Sequence, residues 1–326
     1  MILSLLFCFA GFLLLYFSAE WLVKGSSSLA RNMGITPIVI GLTVVAFGTS
    51  APELVVSLVS AVKGKSMIAV GNVIGSNICN IALVLGLSAL FQPIKSTGEV
   101  VKRELPVMIG ISLFLLVLSW NSVIGRIEGV ILFSGVIAYT IVNYQIAMKK
   151  TGNEGRNRAL TFKADLKDIG YVSSRGKQLI LILVGIAGVA LGAKIVVDSA
   201  VKIMTALGVD EKFISLTLVA FGTSLPELTT SVVAAVRKEM DISIGNLLGS
   251  NVFNILSVLG AASIVRPIYI QGGFIESGLI IDYFVMIVIS ILPWIMMRKS
   301  LTINRTNGAT LLLCYAGYIT FLIIKT

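Results

Sequence analysis

Ten apolar runs, each long enough to cross a lipid bilayer, recur along this chain of 326 residues. A spanning helix needs about 20 apolar residues, and an unpaired strand edge cannot face lipid. Only 13% of the residues are charged, against about 25% in a soluble domain. The sequence therefore predicts an all-α integral membrane protein with ten transmembrane helices, at residues 2–23, 36–62, 68–91, 104–121, 124–148, 178–199, 212–236, 242–265, 275–297 and 307–324.

The lysine and arginine residues are unevenly distributed between the connections of these spans. With the N-terminus placed outside, the cytosolic connections hold 18 of them, the outer connections hold 7, and Lys194 lies within a span. Positively charged connections favour the cytosolic side. The bias predicts a multi-pass protein of the cell membrane with both termini outside and the loop 149–177 in the cytosol. A basic loop at the inner leaflet also explains the net charge of +10 without nucleic acid as a partner.

A sequence repeat joins the two halves of the chain. The block 40–94 returns at 214–268 with 29 identical positions out of 55 and no gap, so matching residues, here called twins, lie 174 positions apart. The strongest matches are IGLTVVAFGTSAPEL with ISLTLVAFGTSLPEL, and IAVGNVIGSNICNI with ISIGNLLGSNVFNI. The chain is interpreted as a first five-helix repeat (1–148), a cytosolic loop (149–177) and a second five-helix repeat (178–326).

The number of spans in each repeat is odd, so the second repeat enters the membrane from the opposite side. Inverted repeats are typical of secondary transporters, in which the binding site lies near the midplane at the repeat interface. The sequence therefore favours a transporter over an enzyme. An intramembrane hydrolase is a weaker alternative, because the chain has no histidine for a Ser-His pair. A cation channel fits a polar centre but has no need of inverted repeats.

Each repeat carries a helix-breaking motif at the centre of a span, GTSAPE at 48–53 and GTSLPE at 222–227. Proline lacks an N–H and disfavours helix at the preceding residue, so the helix should break near Pro52. Broken backbone at this depth is tolerated where it lines a cavity or is buried in protein. The break frees carbonyl oxygens close to Glu53 and its twin Glu227. The carbonyls expected to be freed are those of Ala46 and Thr49, with Ala220 and Thr223 as their twins.

A second polar cluster lies at the centre of the next span in each repeat. Ser76 and Asn80 are four residues apart and therefore share one helix face. Their twins are Ser250 and Asn254. Hydroxyl, amide, carboxylate and carbonyl groups all offer oxygen, which is the ligand preferred by hard cations such as Ca²⁺ and Na⁺.

The two mid-span glutamates need neutralisation. A charge at the bilayer centre costs about 2.5–3.5 kcal/mol on insertion scales. One Ca²⁺ or two Na⁺ would neutralise Glu53 and Glu227, and an ion pair with Lys194 is the rival explanation. For Asn72 and Asn246, helix packing is an equally good explanation, because small and polar residues serve that role in membranes.

These paired motifs resemble the alpha-repeats of the cation/calcium antiporter superfamily, and the compact prokaryotic sodium/calcium exchangers fit best. The resemblance covers essentially all ten predicted spans. It implies an exchange of extracellular Na⁺ for cytosolic Ca²⁺ by alternating access, with several Na⁺ per Ca²⁺ and with the ions bound at the midplane. It implies no cofactor and no protein partner. The first and sixth helices would slide across the core to alternate access.

The resemblance also implies a role for each site residue. Glu53 and Glu227 would ligate Ca²⁺, with the backbone oxygens of Thr49 and Thr223. The flanking Na⁺ sites would use Ala46, Ser50 and Ser76 on one side, and Ala220, Ser224 and Ser250 on the other. Asn80 and Asn254 would line the central site.

One departure from the family pattern concerns the amide at Asn254. Some members carry Asp at this position, and potassium-dependent members have an acidic residue near it. The amides at Asn80 and Asn254 leave two strong carboxylates in the site, which argues against K⁺ cotransport. A Ca²⁺/H⁺ antiporter of the same superfamily is the alternative function, because a desolvated glutamate can itself carry a proton.

Overall fold

The structure is a computed structural model that describes residues 1–162, 171–209 and 220–325, with the side chains of 150–162, 220 and 325 left out. Within that part of the chain, nearly all regular structure is helical, as the apolar runs predict. The described strands are two short antiparallel pairs, Ile94–Lys95 with Thr302–Ile303 and Val123–Ile124 with Ile268–Tyr269.

The helices follow one another closely, and several join end to end. In chain order they are α1 Ile2–Met33, α2 Pro37–Ile40, α3 Ala46–Thr49, α4 Ala51–Val62, α5 Ser66–Ile78, α6 Gly86–Phe91, α7 Leu105–Leu118, α8 Arg126–Phe162, α9 Arg175–Ala206, α10 Ala220–Thr223, α11 Leu225–Val236, α12 Met240–Phe253, α13 Gly260–Val265, α14 Leu279–Ser300 and α15 Arg305–Lys325. Wider π-helical turns continue some of these helices, at Gly41–Val45, Cys79–Leu85, Val100–Glu104 and Asn254–Leu259.

Seven helices among the described residues are long and apolar enough to cross a membrane: Ile2–Met33, Ser66–Phe91, Arg126–Lys149, Arg175–Ala206, Met240–Val265, Leu279–Ser300 and Arg305–Ile324. An eighth is added if the helices on either side of Ser50 form one broken span. The predicted spans 104–121 and 212–236 coincide with the shorter helices α7 and α11, and 212–219 lie outside the described residues. The structure thus supports a multi-pass membrane protein, and the count of ten stays a prediction.

The helices form two compact units. The first unit consists of Met1–Thr49 and Ile141–Asn246, and the second of Ser50–Thr140 and Leu247–Thr326. Each unit therefore contains segments of both predicted repeats.

In the first unit, α1 and α9 pack closely along their length. A Cβ added at Gly185 would lie 2.7 Å from Leu22 Cβ, and one added at Gly192 would lie 3.0 Å from the backbone nitrogen of Leu15. These contacts allow the two backbones to approach, which is the usual role of small residues between membrane helices. Glycine at these positions therefore permits the α1–α9 pair to form.

The end of α1 differs from its predicted end at residue 23. The helix continues to Met33 and ends at Gly34, which adopts a left-handed conformation with φ 70°. The added turns are buried by packing, since a Cβ at Gly25 would lie 2.9 Å from the carbonyl oxygen of Gln178. Apolarity predicts only the part of a helix that lies in lipid, so a helix extended by protein contacts exceeds the prediction.

The helix of the fifth predicted span also extends beyond its apolar part. Helix α8 passes the predicted span end at residue 148 and continues to Phe162. A polar segment can continue a helix beyond the membrane, because each new turn adds one hydrogen bond per residue to an existing nucleus.

In the second unit, the segment Ser66–Phe91 is largely enclosed by protein. Of its most apolar 18 residues, 78% are buried, against 11% for the corresponding stretch of Arg305–Ile324. Helices α6 and α15 approach closely, since a Cβ at Gly308 would lie 2.7 Å from the carbonyl oxygen of Gly86. The polar residues of Ser66–Phe91 are therefore held inside protein rather than exposed to lipid.

Candidate functional site

Both predicted helix breaks are present. The first helix pair is interrupted at Ser50 (φ −81°, ψ 8°) and the second at its twin Ser224 (φ −88°, ψ 3°). The prolines, Pro52 and Pro226, lie in the first turn of the following helix, where proline costs no hydrogen bond. The interruption therefore lies at the serine two residues before each proline, within the motif in which it was predicted.

A glutamate follows each break. Glu53 and Glu227 lie in the first turns of α4 and α11, and both side chains are fully buried. A carboxylate near a helix N-terminus is favoured by the helix dipole and by free backbone N–H groups. The sequence thus places one buried acid at the start of a helix in each unit.

In the first unit, the amide of Asn246 connects two hydroxyl groups. Thr49 Oγ1 donates to Asn246 Oδ1 at 3.0 Å, and Asn246 Nδ2 donates to Ser231 Oγ at 3.0 Å. Thr49 and Asn246 are both fully buried. Ser231 lies four residues after Glu227, on the same face of α11. The network therefore ties α3 to the helix that carries Glu227.

In the second unit, the amide of Asn72 makes a related contact. Asn72 Nδ2 donates to Ser57 Oγ at 2.9 Å and to the backbone carbonyl oxygen of Glu53 at 3.2 Å. Ser57 lies four residues after Glu53 and is fully buried. Asn72 thus holds α5 against the first turns of α4.

The polar cluster of α5 is joined by hydrogen bonds to residues one repeat away. Asn254 Nδ2 donates to Ser76 Oγ at 3.0 Å and to Asn77 Oδ1 at 3.1 Å. Asn77 Nδ2 donates to the Asn251 carbonyl at 3.2 Å, and Asn251 Nδ2 donates to the Asn77 carbonyl at 3.3 Å. Each of the twin asparagines Asn77 and Asn251 therefore donates its side-chain amide to the main-chain carbonyl of the other.

Asn80 and Asn254 are twins in different surroundings. The Asn254 amide nitrogen has two partners, whereas the fully buried Asn80 has no hydrogen-bond partner for Oδ1 or Nδ2 among the described residues. A buried amide normally finds partners, because leaving it unsatisfied costs free energy. Asn80 is therefore a free polar group in the core of the second unit.

The twelve predicted site residues divide equally between the units. In the first unit lie Ala46, Thr49, Ala220, Thr223, Ser224 and Glu227. In the second unit lie Ser50, Glu53, Ser76, Ser250, Asn80 and Asn254. The side chain of Ala220 lies outside the described part of the chain.

The rival explanation for the glutamates involved Lys194. Its side chain is exposed, and among the described residues it forms no ion pair. The structure therefore gives no support to a Lys194–glutamate pair.

Four asparagines were not predicted as site residues from the sequence: Asn72, Asn77, Asn246 and Asn251. Packing was an equal explanation for Asn72 and Asn246, and no separate role was predicted for the other two. All four use their side chains in hydrogen bonds to or beside predicted site residues. The signal that could have found them is their identity with their twins, shared with Ser57 and Ser231.

The chain is similar to known proteins over most of its length. The family model described as "Sodium/calcium exchanger protein" matches residues 3–145 and 177–324. The putative antiporter CaxA of Alkalimonas amylolytica is 35% identical over 321 residues, covering 98% of each chain. The sodium/calcium exchanger MaX1 of Methanosarcina acetivorans is 30% identical over 340 residues, covering 96% of each chain.

A solved structure is similar over nearly the same length. The sodium-calcium exchanger NCX_Mj, soaked with 2.5 mM Na⁺ and 0.1 mM Ca²⁺, has a TM-score of 0.82 and 32% sequence identity. The match covers 98% of both chains. The resemblance inferred from the motifs is therefore confirmed.

Proposed function

Because the chain belongs to the sodium/calcium exchanger protein family, we propose that it is a secondary antiporter that exchanges Na⁺ for Ca²⁺ by alternating access. In this proposal the ions bind near the membrane midplane, between two inverted repeats. The observation that carries the proposal is the pair of fully buried twins Glu53 and Glu227, each in the first turn after a helix break.

The charge of these glutamates supplies the coupling. Buried carboxylates are strongly disfavoured unless a proton, a cation or hydrogen bonds compensate them. Together they carry −2, which one Ca²⁺ or two Na⁺ neutralises. When either ion neutralises the site, the conformational change that moves the site through the low-dielectric core is allowed. The same change with an empty, charged site is energetically opposed. Movement is therefore coupled to the presence of one ion or the other.

The ligands of this proposal are all oxygen atoms. Ca²⁺ takes the carboxylates of Glu53 and Glu227, with the backbone oxygens of Thr49 and Thr223, and six to eight oxygens are usual for this ion. The Na⁺ ligands are Ala46, Ser50 and Ser76 in one set, and Ala220, Ser224 and Ser250 in the other. The partnerless amide of Asn80 supports a role for that residue as a further oxygen ligand beside Asn254.

We further propose the predicted orientation in the cell membrane, with ten spans, both termini outside and residues 149–177 cytosolic. The distribution of 18 cytosolic against 7 external basic residues supports it. Alternating access in this scheme uses the α1–α9 pair, the first and sixth predicted spans. Their close packing at Gly185 and Gly192 supports movement of the two helices as one body.

The test is calcium flux in proteoliposomes that contain the purified protein. An outward Na⁺ gradient should drive ⁴⁵Ca²⁺ uptake, and removing the gradient should stop it. A pH gradient in Na⁺-free medium and a K⁺ gradient are applied separately. Uptake driven by the pH gradient alone would replace Na⁺ coupling with the Ca²⁺/H⁺ alternative. Uptake that needs no counter-ion would indicate a channel.

A further inference from the structure

The same side-chain hydrogen bond occurs independently in both units. Asn72 Nδ2 donates to Ser57 Oγ at 2.9 Å, and its twin Asn246 donates to Ser231 Oγ at 3.0 Å. Both serines lie one helical turn beyond a glutamate, four residues after Glu53 or Glu227. Because the contact recurs 174 residues apart in two compact units, it is a feature of the motif rather than of one local environment.

Each asparagine also forms a hydrogen bond with a residue of the predicted ion site. Asn246 Oδ1 accepts from Thr49 Oγ1 at 3.0 Å, and Asn72 Nδ2 also donates to the Glu53 carbonyl at 3.2 Å. An amide has a donor and an acceptor with fixed directions. Because the Asn246 nitrogen donates to Ser231, its oxygen is the acceptor for Thr49 Oγ1, whose other acceptor, the Ala46 carbonyl oxygen, is farther away at 3.4 Å. The lone pairs of Thr49 Oγ1 and the Thr49 main chain are thereby held in one orientation.

We propose that Asn246 and Asn72 are positioning residues for ion exchange, an inference that rests on the proposed function. Asn246 orients Thr49 at the end of α3, and Asn72 orients the main chain at Glu53. Neither residue needs to touch the ion. Each keeps predicted ligands in the arrangement that binds Ca²⁺, so that the site is organised before the ion arrives.

A packing role predicts a different dependence on sequence. If Asn246 only served packing, any side chain of suitable volume would suffice. Ser243, which joins the same helices, is the residue with which Asn246 is compared. Ser243 Oγ donates to the Ser231 carbonyl at 2.9 Å, so it joins the same two helices as Asn246. Its twin is Ala69, which has no hydroxyl. One unit therefore holds these helices together without that bond, whereas both units keep the asparagine.

The decisive variant is Asn246→Ala, assayed for Na⁺-dependent ⁴⁵Ca²⁺ uptake and for Ca²⁺ binding by calorimetry in detergent. The half-saturating Ca²⁺ concentration should rise about tenfold, the size of one lost hydrogen bond, while the maximal rate falls less than twofold. Ser243→Ala is the matched control and should change the half-saturating concentration less than twofold. A purely structural role would instead lower the amount of folded protein and leave the affinity of the remainder unchanged.

A double-mutant cycle that combines Asn246→Ala with Thr49→Val further distinguishes a positioning role of Asn246 from a purely structural one. If Asn246 acts through the Thr49 hydroxyl, the single variants should each shift the affinity about tenfold and the double variant no further. Thr49→Val also tests the inference from the other end if Asn246→Ala does not fold. Asn72→Ala acts through a backbone carbonyl, so its effect should multiply with that of Thr49→Val.

The outcomes for the inference and for the proposed function are distinct. A wild-type protein that exchanges Na⁺ for Ca²⁺, with Asn246→Ala and Thr49→Val at wild-type affinity, would overturn only the positioning role. A multiplicative effect of the double variant would do the same. A wild-type protein that binds Ca²⁺ without exchange would overturn the proposed function and leave the calorimetric comparison valid. A wild-type protein that neither exchanges nor binds Ca²⁺ would overturn both.

Discussion

The two repeats are alike where ions are predicted to bind and unlike at the charged ends of their helices. Asn72 with Ser57 and Asn246 with Ser231 form the same hydrogen bond in separate units. At the end of α1, Arg31 Nη2 approaches Glu239 Oε1 at 2.6 Å, and Ser27 Oγ donates to the same oxygen at 2.7 Å.

The twins of the charged residues cannot reproduce these ion pairs. Arg237 pairs with Glu20, and Arg31 pairs with Glu239. The respective twins are Lys63 with Lys194, and Thr205 with Lys65. The two ion pairs lie in the first unit. Their twin positions carry two positive charges, at Lys63 and Lys194, or a single positive charge, at Lys65. Identity between the repeats thus accompanies the hydrogen bond that both units form, and difference accompanies these two ion pairs, which lie in the first unit.

The largest expected effect tests the equivalence of the two glutamates. Glu53→Gln and Glu227→Gln should each reduce ⁴⁵Ca²⁺ transport about 100-fold or more, because one carboxylate is left to balance a divalent cation. Transport into proteoliposomes measures the loss, and Ser243→Ala controls for purification. If either variant retained near-normal transport, the two repeats would not contribute equally and the site assignment would be wrong.

The next effect tests the difference between the repeats at the helix ends. Glu239→Ala leaves the guanidinium of Arg31 and the hydroxyl of Ser27 without their shared acceptor. The free energy of unfolding should fall by about 3 kcal/mol, as for other buried pairs that lose one partner. Thermal unfolding in detergent measures the change. The twin variant Lys65→Ala, at an exposed position, should leave the melting temperature unchanged, and equal effects would contradict the comparison.

A smaller effect distinguishes the twin glycines of α1 and α9. A Cβ at Gly185 would lie 2.8 Å from the backbone nitrogen of Leu22, whereas one at Gly11 would meet the side-chain atom Val196 Cγ2 at 2.8 Å and the backbone nitrogen of Val196 only at 3.2 Å. Gly185→Ala should therefore cost about 1–3 kcal/mol of stability, and Gly11→Ala less than half as much. Melting temperatures of the two variants provide the measurement. A larger effect at Gly11 would show that its neighbour cannot rotate away.

The smallest effect concerns the hydroxyls predicted to bind Na⁺. Ser76→Ala removes a proposed ligand and the acceptor of Asn254 Nδ2. The Na⁺ concentration for half-maximal exchange should rise about threefold, with a smaller change in Ca²⁺ affinity. Ser250→Ala tests the twin. A change in Ca²⁺ affinity alone would move Ser76 from the Na⁺ sites to the Ca²⁺ site.

Much of the candidate site could be predicted from particular residues. Pro52 and Pro226 predict a break because proline has no N–H to donate, and the structure interrupts both helices within two residues of them. Burial of Glu53 and Glu227 follows from their place inside long apolar runs. The partners of the asparagines could not be predicted, because Asn246 meets Thr49 at a distance of 197 residues in sequence.

The amino-acid sequence alone determined that this chain is helical, that it crosses a membrane and that it repeats itself at 174 residues, because hydropathy and self-similarity are local properties of the chain. Only the tertiary structure decided where α1 ends, which twin asparagine finds partners and which carboxylates form ion pairs. Those outcomes depend on side chains brought together from distant segments. The free energy of a hydrogen bond or an ion pair depends on the partner that folding supplies, and no single position encodes that partner.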